Sequence, residues 1–204
     1  MDIDEKRNIF EIQVELNFKL DLVKIFGNRN PVHLEIGCGR GEFIVQKASG
    51  NPETNFLGIE IKEKRIKTIL RKLDIKVHRN VRLLQLNVDE KIIEFFPEES
   101  FRMIYIIHPD PWPKKKHHKN RLIQNTFIDA LYKILQPDGI LKIATDHEEY
   151  GKRIIYKFNN RKDFISKYNE GFTKNPDKDH IETHFEKKKR EEGFEPFFMN
   201  YRKI

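Results

Sequence analysis

The chain has 204 residues, with 39 Lys and Arg against 32 Asp and Glu and a formal net charge of +7 at pH 7. That length fits one domain with enough buried surface to carve a cleft, and the positive balance favours a polyanionic partner through counterion release. A single cysteine, Cys38, excludes an internal disulfide, no run of about eighteen apolar residues exists for a spanning helix, and the acidic start Met1 to Glu5 lacks a secretory pattern, so no membrane partner and a cytoplasmic location are expected.

Residues 12–26 space Ile12, Leu16, Leu20 and Val23 three or four apart, which predicts a helix stopped by Gly27, within an N-terminal helical extension over residues 1–30. Residues 32–36, 56–61, 81–86, 101–107 and 139–144 are short, apolar and largely β-branched, and helical patterns separate them. This alternation predicts an α/β fold, Rossmann-like, with a mostly parallel sheet and helices on both faces. Breaks are expected at Gly50 to Pro52 and at Gln136 to Gly139. Phe197, Phe198 and Tyr201 in the tail are expected to extend the sheet. No repeat, linker or domain boundary interrupts residues 1–204, so one domain is expected.

Behind the first strand stands Glu35-Ile36-Gly37-Cys38-Gly39-Arg40-Gly41. Glycines at alternate positions let backbone pass close to a ligand. The spacing is one residue short of a dinucleotide fingerprint, and Glu35 would repel a diphosphate while attracting a cation. S-adenosylmethionine, with a sulfonium and an ammonium against one carboxylate, suits that charge. Glu60 ends the second strand, where a carboxylate can accept both ribose hydroxyls, and Asn87 follows the third, placed to address an adenine edge or to serve as a surface turn. Cys38, flanked by glycines with no neighbouring base, reads as a packed small residue.

After the fourth strand comes His108-Pro109-Asp110-Pro111-Trp112-Pro113, whose three prolines forbid a helix and stiffen the loop. Ligands of open parallel sheets bind beyond the carboxyl ends of the strands, so this loop can hold Asp110 against a substrate at little ordering cost. Trp112 either stacks on a base or caps the core. The cationic block Lys114-Lys115-Lys116-His117-His118-Lys119-Asn120-Arg121 follows directly, where lysines and arginines can meet phosphates. His117 and His118 are adjacent, with no carboxylate at zinc-ligand spacing, so no metal site is expected. Asp146 closes a strand and is either an acceptor for substrate hydrogen bonds or the cap of a helix near His147. Asn175-Pro176-Asp177 reads as a mobile loop before Thr183-His184-Phe185-Glu186, itself a cover for an extruded nucleoside or a helix start with Thr183 as cap.

Taken together, Leu34 to Gly41, Gly58-Ile59-Glu60, Pro109-Asp110-Pro111-Trp112, Ala144-Thr145-Asp146 and Thr183 to Glu186 resemble the tRNA (guanine-N7)-methyltransferase family from about Val32 onward. The resemblance implies a class I S-adenosylmethionine-dependent methyltransferase that modifies the guanine at position 46 of the tRNA variable loop. It further implies that Glu35, Gly37, Gly39, Glu60, Asn87 and Asp110 line the cofactor pocket, with Asp110 catalytic. Lys114, Asp146, Thr183, His184, Phe185 and Glu186 would address the guanosine, and Lys116, His117, His118, Lys119, Asn120 and Arg121 the RNA. His108, Pro113 and His184 depart from the family pattern. A monomer or homodimer that binds tRNA is expected; two other readings are an exocyclic-amine nucleic-acid methyltransferase and a noncatalytic RNA-binding protein of the same fold.

Overall fold

The computed structural model describes residues 1–13 and 19–204. Among them, β1 (Val32–Ile36), β2 (Asn55–Glu60), β3 (Val81–Gln85), β4 (Phe101–Ile107) and β5 (Leu135–Thr145) run parallel, each next to its partner in the sheet. The antiparallel strands β6 (Phe164–Ser166) and β7 (Phe197–Lys203) complete the order β3-β2-β1-β4-β5-β7-β6. The expected mostly parallel α/β sheet is therefore the one found. Its order reverses between β1 and β4, and the crevice beyond their carboxyl ends is where such sheets bind ligands.

The helices are α1 (Ile3–Phe10), α2 (Leu22–Phe26), α3 (Glu42–Gly50), α4 (Glu63–Lys72), α5 (Asn125–Ile134), α6 (Glu148–Asn159) and α7 (His184–Glu191). Strand periodicity sorts the core into two layers. Leu34, Leu57, Ile104, Ile106, Leu141 and Met199 join α5 and α6 on one face. Phe56, Val81 and Leu83 join α1, α3 and α4 on the other. α4 shows why such a helix forms: Ile66, Ile69 and Leu70, three and four apart, are buried while its lysines and arginines face water. The same period turns Glu35 away from the Leu34 layer, toward α3.

Two expectations change. Of the helix expected over residues 12–26, α2 is the helical part among the described residues, and residues 14–18 lie outside them; at the flanks Ile12 donates its N–H to Leu83 at 2.8 Å and Leu20 donates to Phe95 at 2.8 Å, main-chain pairing in place of helical bonding. Val23 is exposed rather than core-facing, and Leu16 lies outside the described residues. The break at Gln136 to Gly139 sits inside β5 as an irregularity: pairing with β4 moves from Leu135 opposite Phe101 to Ile140 opposite Met103, and Asp138 has φ +56°. The three-residue β6 has no counterpart in the sequence pattern. Among the described residues no helix is long and apolar enough to cross a membrane.

Candidate active site

The loop after β1 is strapped to the end of β2. Gly37 and Cys38 both donate to the Ile59 carbonyl, at 2.8 and 3.1 Å, and the Cys38 thiol makes a third contact there at 3.2 Å. Cys38 is thus buried packing, as its glycine neighbours suggest. Gly37 has φ +80°, a conformation side chains resist, and an added Cβ would meet nothing within 4 Å because it would project into open cleft. Gly41, at φ +76°, starts α3 under tighter constraint, since a Cβ would lie 2.7 Å from Ile69.

Glu35 is 5% exposed, and its Oε2 has no hydrogen-bond partner among the described residues. Burial pushes its carboxyl up to about 8; the Ile44 N–H opposes this and the nearby Glu60 charge adds to it. A buried carboxylate oxygen left unpartnered on a cleft wall is a site that a cationic group would complete.

Glu60 behaves differently from the expectation of an open ribose acceptor. Its Oε2 accepts the Gly39 N–H at 2.9 Å, its Oε1 accepts the Lys62 N–H at 3.0 Å, and Arg65 lies 3.4 Å away. At 2% exposure it holds the glycine loop in shape from beneath. Asn87 also stays out: β3 ends at Gln85, so Asn87 sits two residues beyond it, exposed at the rim.

Across the crevice, Asp110 is exposed on the cleft wall in a loop bounded by two strained residues, His108 at φ +50° and Trp112 at φ +43°. Backbone strain of this kind persists only where surroundings over-determine it. Arg121 supplies part of that constraint. It is 2% exposed, donates from Nε to the Pro111 carbonyl at 2.7 Å, pairs with both Glu149 oxygens, and lies 4.8 Å over the Tyr150 ring. It is therefore a brace under the loop, and the expected contact with RNA is denied to it by burial. His117 packs edge-on against Trp112 at 5.8 Å, and His118 Nε2 lies 3.8 Å from Glu149, so both histidines face protein as well. Lys114, Lys116, Lys119 and Asn120 remain exposed around the 3₁₀ turn Lys115–Asn120, and Lys114 stands outside the cleft lining.

Asp146, just past β5, reaches the cleft, and its Oδ1 lies 3.3 Å from His108 Nδ1. The cap of α6 is His147, whose Nδ1 accepts the Tyr150 N–H, so Asp146 is free of that duty. Thr183 does cap α7, accepting the Glu186 N–H at 3.2 Å, and the His184 N–H donates to Glu42 at 2.6 Å. Thr183, His184 and Phe185 reach the cleft wall. Glu186 does not: fully buried, it accepts from Arg190 at 2.8 and 3.0 Å and faces His180 Nε2 at 2.7 Å. Burial opposes the shift, yet contacts with the His108 and His180 rings and with Arg190 hold its carboxyl well below the usual range. The segment read as a mobile loop is fastened too. Asp177 meets Lys167 at 2.6 Å and Lys142 at 3.0 Å, and Asp179 meets Lys47 at 2.7 Å.

The result is a cleft of about 700 Å³ with Glu35 and Gly37 on one wall, Asp110 and Asp146 on another, and Phe185 closing it from α7. Sequence reasoning missed Arg121 as a brace, Phe194 and Lys189 as lining, and the Glu42 contact. Lys189 lies 4.9 Å from the Phe194 ring centroid, a pairing the charge run alone could not reveal. Chemically, the walls offer acceptors for a cation and for ring N–H donors, in a space that admits a nucleoside.

Comparison with known proteins places the chain among methyltransferases. A family model described as "Putative methyltransferase" matches residues 29–199. A protein of Syntrophotalea carbinolica named tRNA (guanine-N(7)-)-methyltransferase is 37% identical over 162 residues, 79% of this chain and 70% of its own length. One of the same name from Buchnera aphidicola is 38% identical over 183 residues, 89% of this chain and 75% of its own. Among solved structures, one described as an antibiotic-related methyltransferase aligns with TM-score 0.59 at 16% identity, covering 92% of this chain and 98% of that one. TrmN from Thermus thermophilus gives 0.58 at 18% identity, covering 90% and 47%. These two likenesses concern the fold alone.

Proposed function

Because the chain belongs to the methyltransferase family that includes the tRNA (guanine-N7)-methyltransferases, we propose that it methylates N7 of the guanine at position 46 in the tRNA variable loop, in the cytoplasm, with S-adenosyl-L-methionine as donor. The observation that carries this reading is Glu35, which lines the same cleft as Asp110 and Asp146 and keeps a buried oxygen without a partner among the described residues.

The donor fits the residues present. Glu35 offers its free oxygen to a cationic group, and Gly37 leaves open the volume that any side chain would fill. When bound, S-adenosylmethionine would supply an electrophilic methyl on sulfonium; the N7 lone pair of guanine would form the C–N bond as the methyl–sulfur bond breaks, its electron pair staying on sulfur as a neutral thioether. N7 carries no proton, so no side chain has to act as a base. What remains for the protein is alignment, which can lower a barrier by several kcal/mol, and support for positive charge arriving on the purine. Asp110 and Asp146 do both: carboxylates accept the N1–H and N2–H₂ donors that distinguish guanine from adenine. Phe185 covers the purine, and Lys114, Lys116 and Lys119 hold the phosphates.

The test supplies labelled methyl donor, purified protein and two tRNA transcripts with guanine or adenine at the variable-loop position. Label should enter the guanine transcript alone and be recovered as N7-methylguanosine after digestion. Equal incorporation into both would overturn the assigned position.

A further inference from the structure

His108 departs from the pattern that the rest of its loop keeps, and its ring sits between two carboxylates. Nδ1 lies 3.3 Å from Asp146 Oδ1, and Nε2 lies 3.7 Å from Glu186 Oε2, with no other partner for Nε2 among the described residues. The ring is 5% exposed and lies 5.0 Å from that of Phe185. Each nitrogen faces an acceptor, and an imidazole satisfies two acceptors only when both nitrogens carry protons. The backbone is aimed for this purpose. The His108 N–H is bound to the Ala144 carbonyl at 2.8 Å, and φ stands at +50°, a strained value for a histidine.

The two carboxylates belong to different parts of the fold. Asp146 follows β5 and lines the cleft, whereas Glu186 is the buried anchor of α7, the helix that carries Phe185 and Lys189 to the cleft wall. The charged and titratable groups around the imidazole are Asp146, then Glu186, Lys189 and Arg190 on α7, and the His180 ring in the segment before it. We propose that His108, doubly protonated, is a positioning residue that ties Asp146 to Glu186 and so holds α7 and the substrate carboxylate in one arrangement. This rests on the assignment of Asp146 to the guanine edge. Burial works against the charged ring, yet the hydrogen bonds and charges of Asp146 and Glu186 outweigh it and raise the ring's titration above the ordinary histidine value. A group raised in this way contributes in full below the ordinary value, and the bridge is lost as pH rises through the raised value of the folded state.

Two measurements test the bridge. Long-range proton–nitrogen NMR on the free protein at about pH 7 should show both His108 ring nitrogens protonated; a neutral ring there would overturn the proposal. This readout needs neither tRNA nor turnover, so it stands or falls apart from the methylation reading. In the second, donor is kept saturating, which removes Glu35 from the titration, and KM for tRNA is followed between about pH 6 and 9. KM of the unaltered protein should rise about tenfold across that range. His108→Asn, which tolerates positive φ, and His108→Phe, which keeps the ring against Phe185, should bind donor as before and give flat profiles. A profile in either variant that tracks the unaltered protein would defeat the proposal.

Discussion

Arg121 donates to the Pro111 carbonyl at 2.7 Å while its terminal nitrogens pair with Glu149, which joins the rigid loop carrying Asp110 to the first turn of α6. Removing it leaves the half-buried Pro111 carbonyl without its donor and a strained loop without its brace. Arg121→Ala should cost about 2 kcal/mol of stability, read as a lower denaturant midpoint, and should reduce kcat more than RNA affinity. Arg121→Lys should not restore kcat, because an ammonium cannot span the carbonyl and both carboxylate oxygens. Full activity in the lysine variant would contradict the bracing role.

The exposed lysines should behave in the opposite way. Lys114→Ala, Lys116→Ala and Lys119→Ala should each weaken tRNA binding and lower the slope of log affinity against log salt by roughly 0.7 to 0.9 for every phosphate that is no longer neutralised. Arg121→Ala should leave that slope unchanged. Titration of binding at several salt concentrations separates the two groups, and identical slopes throughout would show the lysines to be solvated surface.

Glu35 gives a pH signature. Its carboxyl titrates at about 8 in the folded protein against an ordinary 4.5, so the folded state holds a proton that the unfolded chain releases. Its ionisation therefore costs nothing below the unfolded value and lowers stability progressively as pH rises from 4.5 through about 8. Glu35→Gln removes this penalty. The variant should match the unaltered protein near pH 4.5, melt higher at pH 8, and fail to bind donor; a gain of about 1 kcal/mol would appear as a shift of roughly 2–4 °C. Melting curves that stay parallel across the range would contradict an ionisable, buried Glu35.

Gly37 is held at φ +80° beside open cleft. Gly37→Ala should lose about 1–2 kcal/mol to backbone strain and, separately, reduce donor affinity measured by calorimetry, because the methyl occupies ligand space. Unchanged donor affinity would show that the ligand lies elsewhere.

Much of this architecture is legible from residue order. β1 and β4 match their expected limits because each is a short, largely apolar run between breakers, and the glycine loop and the Pro-Asp-Pro-Trp turn follow them as read. What escapes depends on distant partners. Arg121 sits in a run of cations, and nothing local distinguishes it from Lys119; Glu149, 28 residues on, draws it inward. Glu186 resembles an open acceptor until His180 and Arg190 close around it. Glu60 reads as a ribose acceptor, yet the backbone N–H groups of Gly39 and Lys62 claim it first. Local pattern reports periodicity and turn chemistry well, whereas the direction of a long charged side chain is decided by tertiary pairing.

The central claim is transfer to N7, and the most direct measurement replaces that atom. A tRNA carrying 7-deazaguanine at position 46 presents the same Watson–Crick edge to Asp110 and Asp146 but has a carbon where the lone pair should be. The predicted result is binding comparable to unmodified tRNA with no methyl incorporation. Incorporation at the rate seen with guanine would contradict the account.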